Sequence, residues 1–173
     1  FNEYKKVLQG SQLKVTLFVS EYPNHIKEFT SKIDKNTFDR IIIFGGDGTI
    51  NEVINGLNYS KKLHVFEIGV IPTGSGNSVA HDINALDLDV AIKKCIGNNI
   101  VKMDVNEVDF DSFSQLSVSV LGWGMFSYGN IRAEKLRFLG PVRYDVASII
   151  TLLEKKMYSA EIIVDGVRKP LTC

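Results

Sequence analysis

Two glycine-rich turns, each set at the end of an apolar run, constrain this chain more than any other feature. The first is Phe44-Gly45-Gly46-Asp47-Gly48-Thr49, which ends RIIIF (40–44). The second is Pro72-Thr73-Gly74-Ser75-Gly76-Asn77, after VFEIGVI (65–71). Short, uniformly apolar runs belong to strands buried on both faces, as in parallel sheets. Neighbouring parallel strands bring their carboxyl ends to one edge, so the two turns are expected to face each other across a crevice. Glycine lets backbone N–H groups approach an anion with no Cβ in the way. A helix N-terminus adds partial positive charge and free donors. A phosphate site is expected at this edge.

The rest of the first part fits an α/β pattern. Residues 14–19 (KVTLFV) read as a strand and 23–33 (PNHIKEFTSKI) as a helix with Pro23 near its first turn. A helix is expected from about Thr49 to Leu57, stopping at the Asn-Gly-Leu-Asn cluster. After about residue 98 the pattern changes. Residues 100–110 and 114–121 alternate with period two, as antiparallel strands do. Residues 131–155 look helical with a break near Gly140-Pro141, and 159–164 (SAEIIV) return to strand before an Asp165-Gly166 hairpin turn. The expected architecture is a doubly wound α/β lobe over residues 1–98. The start of a β-rich second lobe with a helical insert follows over 99–173.

The 20 basic and 20 acidic residues cancel, which gives no support to a nucleic-acid partner held by bulk charge. Cys95 and Cys173 match neither a zinc spacing nor a disulfide framework, so a reducing, cytoplasmic setting is expected. No apolar run reaches the length of a membrane span, and no signal peptide is visible at the start. The chain opens on Phe1 and ends at Cys173 in a strand-rich stretch, so both ends read as cuts. His25, His64 and His81 have no metal spacing and read as surface or core residues.

Asp47 is the unusual member of the first turn. A carboxylate would repel a phosphate held by the same donors unless it served a purpose of its own. Three purposes fit, namely holding a magnesium ion, accepting a hydroxyl proton, or capping the turn. Ser75 and Asn77 can donate to phosphate oxygens or cap the next helix, and capping is the more common use of an asparagine there. Arg132, Lys135, Arg137 and Arg143 are the densest basic cluster; most such runs are a solvated helix face. Trp123, Phe126 and Tyr128 fit a lipid-facing surface or, more commonly, core packing.

GGDGTINEVINGL (45–57) followed by IPTGSGN (71–77) resembles the catalytic domain of diacylglycerol, sphingosine and ceramide kinases. Glu52 belongs to the same pattern, Ser20-Glu21 with Asn24-His25 looks like the family's upstream Thr-Glu segment, and EKLRFLGPVRY (134–144) is similar to the sphingosine and ceramide kinase branch. The resemblance implies an α/β lobe packed on a β-sandwich lobe and transfer of the γ-phosphoryl group of ATP, with Mg2+, to a lipid hydroxyl. It implies that Gly45, Gly46, Gly48, Thr49, Glu52, Gly74, Ser75, Gly76 and Asn77 serve the nucleotide, and that Asp47 is the general base. Arg137 and Arg143 would grip the phosphates; the first lobe has no Walker-type lysine, so cations must come from elsewhere. A lipid substrate implies peripheral contact with a membrane surface.

The chain also departs from the family. Tyr128-Gly129-Asn130 stands where sphingosine and ceramide kinases place an acidic residue against the lipid head group. The family's first-strand Asn-Pro-x-Ser-Gly loop and its returning Gly-Glu segment have no counterpart, and Val164-Asp165-Gly166-Val167 does not substitute for the latter. Little or no activity is expected of this piece alone. Two other functions compete. A soluble-metabolite kinase of NAD kinase type shares GGDG but not the Asn-Glu and Pro-Thr-Gly-Ser-Gly-Asn segments. A non-catalytic nucleotide-binding remnant is the other.

Overall fold

A computed structural model describes residues 13–154, 157 and 159–172. They fall into two compact units, the first ending at Ser119 and the second starting at Val120. The change of sequence pattern near residue 98 lies within the first unit.

In chain order the first unit has helix α1 (His25–Lys32), strand β1 (Arg40–Gly45), helix α2 (Asp47–Tyr59) and strand β2 (Glu67–Pro72). Helices α3 (Ser78–Asp82) and α4 (Leu88–Ile96) follow, then strands β3 (Asn106–Asp109) and β4 (Ser114–Ser117). β1 and β2 pair in parallel, from Arg40 opposite Glu67 to Gly45 opposite Pro72. Because strand side chains alternate, this pair serves two cores. Ile43 and Val70 pack with Ile33, Ile50, Val53, Ile54 and Leu57, the apolar side of α2 and the end of α1. Ile42, Phe44 and Ile71 pack with Ala91, Ile92 and Cys95 of α4. Helices thus cover both faces of the pair. Leu57 and Ile71 are fully buried, each contributing about 1.5–3 kcal/mol relative to exposure.

The amino edge of the pair is fixed by Arg40. Its guanidinium binds the Glu67 carboxylate and donates to the Cys95 and Gly97 carbonyls (2.9 Å to Gly97) at the end of α4. A cation suits a helix C-terminus. Burial pushes the Cys95 thiol up to about 11, against the opposing pull of Arg40, so Cys95 is packing material, not a nucleophile.

Three expectations need correction. Residues 14–19 form no strand: Val15, Leu17 and Val19 are exposed, and among the described residues no strand pairs with them. The parallel sheet of the described residues is therefore β1 and β2 alone. The helix after the first turn, expected from about Thr49 to Leu57, runs from Asp47 to Tyr59. There Asn55 is buried and bonded to β4: its amide donates to the Leu116 carbonyl (2.9 Å) and its oxygen accepts the Leu116 N–H (2.9 Å).

Gly56 is where α1 crosses closest. A Cβ there would stand 2.0 Å from Thr30 Oγ1 and 2.4 Å from the Lys27 carbonyl. Gly56→Ala gains about 1 kcal/mol of helix propensity. The clash with backbone should outweigh it, for a net loss of about 1–3 kcal/mol. Thermal unfolding of the chain checks this: a midpoint equal to or above wild type would mean that α1 yields freely.

The second unit has helix α5 (Met125–Lys135), a 3-10 segment (Arg137–Val142), helix α6 (Arg143–Leu153) and strands β5 (Ser159–Val164) and β6 (Val167–Thr172). The expected break is at Gly140, which takes φ 60°. α5 and α6 pack together, burying Ala133 and Ala147. β5 and β6 form an antiparallel hairpin through Asp165 (φ 51°) and Gly166 (φ 79°), a turn with two left-handed residues as the Asp-Gly pair predicts. The arrangement found is a mixed α/β chain with parallel strands first and antiparallel strands after them.

Candidate functional site

The two glycine-rich turns do leave β1 and β2 at the same edge. Thr73 N–H donates to the Gly45 carbonyl at 3.0 Å, carrying the ladder into the loops. The backbones then touch. A Cβ on Gly46 would stand 2.9 Å from Gly74 Cα, and one on Gly74 would stand 2.5 Å from Gly46 Cα. The close approach of the two backbones leaves no room for a Cβ at either glycine. The Thr49 side chain fills the Cβ position of Gly45, and Asp47 Oδ2 lies 3.2 Å from that of Gly76. Gly48 alone of the five faces open space. It is exposed in the first turn of α2, whose leading amides have no intrahelical acceptor.

Asn77 sits before α3 with φ 57°, but its side chain does not cap that helix. It turns back instead: Oδ1 accepts the Gly74 N–H (3.0 Å) and Nδ2 donates to the Gly74 carbonyl (2.8 Å). The cap comes from the other loop. Asp47 opens α2 and sends its carboxylate across, accepting the N–H of Ser78 (3.0 Å) and of Val79 (3.2 Å). Burial pushes the Asp47 pKa up. Hydrogen bonds from the Ser78 backbone and hydroxyl and from the Val79 and Asn77 amides outweigh it and hold the pKa below the ordinary value. Asp47 is therefore a carboxylate at neutral pH, with fixed direction. Capping one loop's helix from the other loop was not foreseen in sequence.

Glu52 lies on α2, half-buried, with Oε2 buried and lacking a hydrogen-bond partner; Asn51 Oδ1 beside it is in the same state. Thr49 is half-buried and Ser75 exposed at the tip of the second loop. Also missed in sequence were Ser78 and Ser119, whose hydroxyls lie 3.1 Å apart.

The arginines belong to the second unit. The Arg137 side chain lies outside what the structure describes. Arg143 is 11% exposed, with Nη2 at 3.7 Å from Glu134 and 2.9 Å from the Tyr144 hydroxyl, and its Nε buried without a partner. Arg132 is not the solvated residue expected: it pairs with Glu154 at 2.6 Å, tying α5 to the residue after α6. Lys135 is exposed. An alanine series should therefore separate three behaviours. Lys135→Ala should be neutral, and Arg132→Ala should lower the unfolding midpoint through loss of a partly buried pair worth about 1 kcal/mol. If Arg143 grips a phosphate, Arg143→Ala should weaken nucleotide-dependent activity, with Arg143→Lys in between because it loses the planar fork. Equal, mild effects at all three positions would make the cluster a basic face only.

Trp123, Phe126 and Tyr128 are exposed, not core. Phe126 lines a small pocket in the second unit with Met125, Asn130, Tyr144, Ser148 and Thr151. His64 and His81 are not buried, while His25 stacks on Tyr22 with ring centroids 4.1 Å apart. Among the described residues no three His, Cys, Asp or Glu side chains gather as a metal site. Each Asp47 oxygen accepts one backbone N–H and keeps a further lone pair. A protein-built Mg2+ site does not fit these residues. A nucleotide phosphate does fit the open backbone face at Gly48 beside the α2 N-terminus.

A parallel strand pair thus carries two glycine turns that meet at its carboxyl edge. The sequence pattern of the diacylglycerol kinase catalytic domain matches residues 1–108, and the chain belongs to that family. Its curated relatives include sphingosine kinase 2 of Arabidopsis thaliana, 26% identical over 99% of this chain and 38% of the relative. Human ceramide kinase is 30% identical over 88% of this chain and 32% of the relative. Sphingoid long chain base kinase 5 of Saccharomyces cerevisiae is 28% identical over 95% of this chain and 25% of the relative. The chain thus spans 25–38% of the length of these relatives, which place it with the sphingosine and ceramide kinase branch.

Proposed function

We propose that the protein containing this chain is an ATP-dependent lipid kinase. It transfers the γ-phosphoryl group to the hydroxyl of a long-chain base, a ceramide or a diacylglycerol. The observation that carries this reading is the meeting of the two loops, with an ionised Asp47 locked between them. Gly45 to Gly48, Thr49 and the Gly74–Asn77 loop hold the nucleotide phosphates through backbone amides and hydroxyls, and Glu52 on α2 serves the same nucleotide site. ATP supplies the phosphoryl group; the protein contributes position and charge, which is most of what phosphoryl transfer needs. Asp47 orients the acceptor hydroxyl and takes its proton, acting from a fixed direction. Arg137 and Arg143 place positive charge on the transferred group. No step is assigned to Mg2+.

The wider architecture proposed is the family's two lobes, with residues 1–98 in the nucleotide-binding lobe and 99–173 beginning the other. The protein works in the cytoplasm and meets its lipid at a membrane surface. No helix among the described residues is long and apolar enough to cross a membrane. The test is a substrate panel: labelled ATP with sphingosine, ceramide, diacylglycerol and NAD supplied in turn. Label in a lipid extract supports this reading; label in NAD would favour a soluble-metabolite kinase. ATP binding without any product would favour a non-catalytic module.

A further inference from the structure

We propose that Tyr144 is a positioning residue for Arg143, holding its guanidinium at one nitrogen while another N–H stays open to a phosphate oxygen. This rests on the reading of Arg143 as a cation for the transferred group. An arginine side chain has many rotamers, so a loose one must be ordered each time an anion arrives. Arg143 is not loose. It opens α6, and its side chain is 11% exposed. Nη2 donates to the Tyr144 hydroxyl at 2.9 Å and lies 3.7 Å from Glu134 Oε1 on α5. The guanidinium carbon stands 4.8 Å from the centroid of the Tyr144 ring, close enough for a cation–π contact.

Both contacts fall on the same nitrogen. Nε of Arg143 is buried and has no hydrogen-bond partner. A buried N–H of a cation is costly to leave without an acceptor. An anion arriving at the guanidinium supplies one, through a charge-assisted bond of the kind that phosphate oxygens accept from arginine. Of the two holders, Tyr144 sets the direction. Its hydroxyl is within hydrogen-bond distance and neutral, so it orients the cation without cancelling the charge. The Glu134 carboxylate is 52% exposed and beyond that distance, so it contributes only screened attraction. Tyr144 also lines the small pocket with Phe126, Asn130, Ser148 and Thr151. Its ring and its hydroxyl therefore have separate tasks, and Tyr144→Phe removes one of them alone.

The test has two independent readouts. The first is turnover of the protein containing this chain, with ATP and whichever of sphingosine, ceramide or diacylglycerol it phosphorylates. Tyr144→Phe should lower kcat by about tenfold, the loss of one hydrogen bond to a charged group, with KM for the lipid within about twofold because the ring stays. Glu134→Gln should cost no more than about twofold. In an Arg143→Ala background, Tyr144→Phe should also cost less than about twofold, because the effect runs through the guanidinium. The second readout needs no activity. The Nε–H signal of Arg143 in the NMR spectrum, assigned by its disappearance in Arg143→Lys, should exchange with water about threefold faster or more in Tyr144→Phe. Wild-type exchange in Tyr144→Phe overturns the proposal. So does an equal fold-loss with and without Arg143, or a larger loss in Glu134→Gln than in Tyr144→Phe. Faster exchange in a protein that phosphorylates no lipid would support the hold on Arg143 and overturn the proposed function instead.

Discussion

Asp47→Asn is expected to lower lipid phosphorylation by about two orders of magnitude or more, the usual loss when a positioned proton acceptor is removed. The substitution keeps the volume, but it does more than remove a charge. The Asp47 oxygens accept two backbone N–H groups, from Ser78 and Val79. An amide accepts through one oxygen and turns its NH2 towards the other donor. About 1 kcal/mol of stability should go with the lost cap. The two roles separate by pH. The folded pKa of Asp47 is depressed, so its stabilising contribution is complete above the unfolded value of about 3.9 and lost as pH falls through the folded value. The stability gap between wild type and Asp47→Asn should therefore be full at neutral pH and close in acid. Turnover and thermal unfolding, measured on the same preparations, check this. Near-normal turnover with the stability gap intact would leave Asp47 as a cap that joins the two loops and nothing more.

Gly74→Ala should be as damaging, for a steric reason. The new Cβ would lie 2.5 Å from Gly46 Cα and 2.9 Å from Asn77 Oδ1. The first contact is backbone on backbone, so no rotamer change relieves it. The loops must part, the Asn77 bonds to Gly74 must stretch, and the Asp47 cap loses register with α3. A displacement of about 1 Å at such a site can cost about 100-fold in rate, and nucleotide binding should weaken with it. Gly48→Ala is the matched contrast. Its Cβ meets nothing within 4 Å, and within a helix alanine is favoured by about 1 kcal/mol. It should fold as well as wild type or better and weaken only the nucleotide. Calorimetric titration with ATP beside thermal unfolding separates the cases. Unchanged ATP affinity in Gly48→Ala would mean that the phosphates lie elsewhere.

The strand-end edge was legible because the apolar runs and the glycines punctuate the chain locally. The Asp-Gly hairpin was legible for the same reason. What the sequence hid were the long-range uses of polar residues. Asn77 stands where a cap is expected, yet the cap comes from Asp47, 30 positions earlier in the chain. The helix expected to end at Leu57 runs on to Tyr59, with Asn55 bonded to β4 and Gly56 packed against α1, contacts that local composition does not reveal. Arg132 looked solvated because its partner Glu154 is on another element. Residues 14–19 alternate as a strand does, but alternation supplies no neighbour to pair with.

Asn55 carries a wider consequence. Its side-chain amide offers one donor and one acceptor to Leu116, as a neighbouring strand would. The β3–β4 hairpin is thereby moored to its unit by a helix side chain, and it forms no ladder with β1 or β2. A moored element does not have to match the spacing of the sheet beside it. The connection between α4 and β3 can lengthen or shorten among descendants of this fold without a register penalty, provided that Asn55 and the backbone of residue 116 still meet. Length variation is then tolerated in that connection, while the two glycine turns, which touch backbone to backbone, keep their fixed spacing.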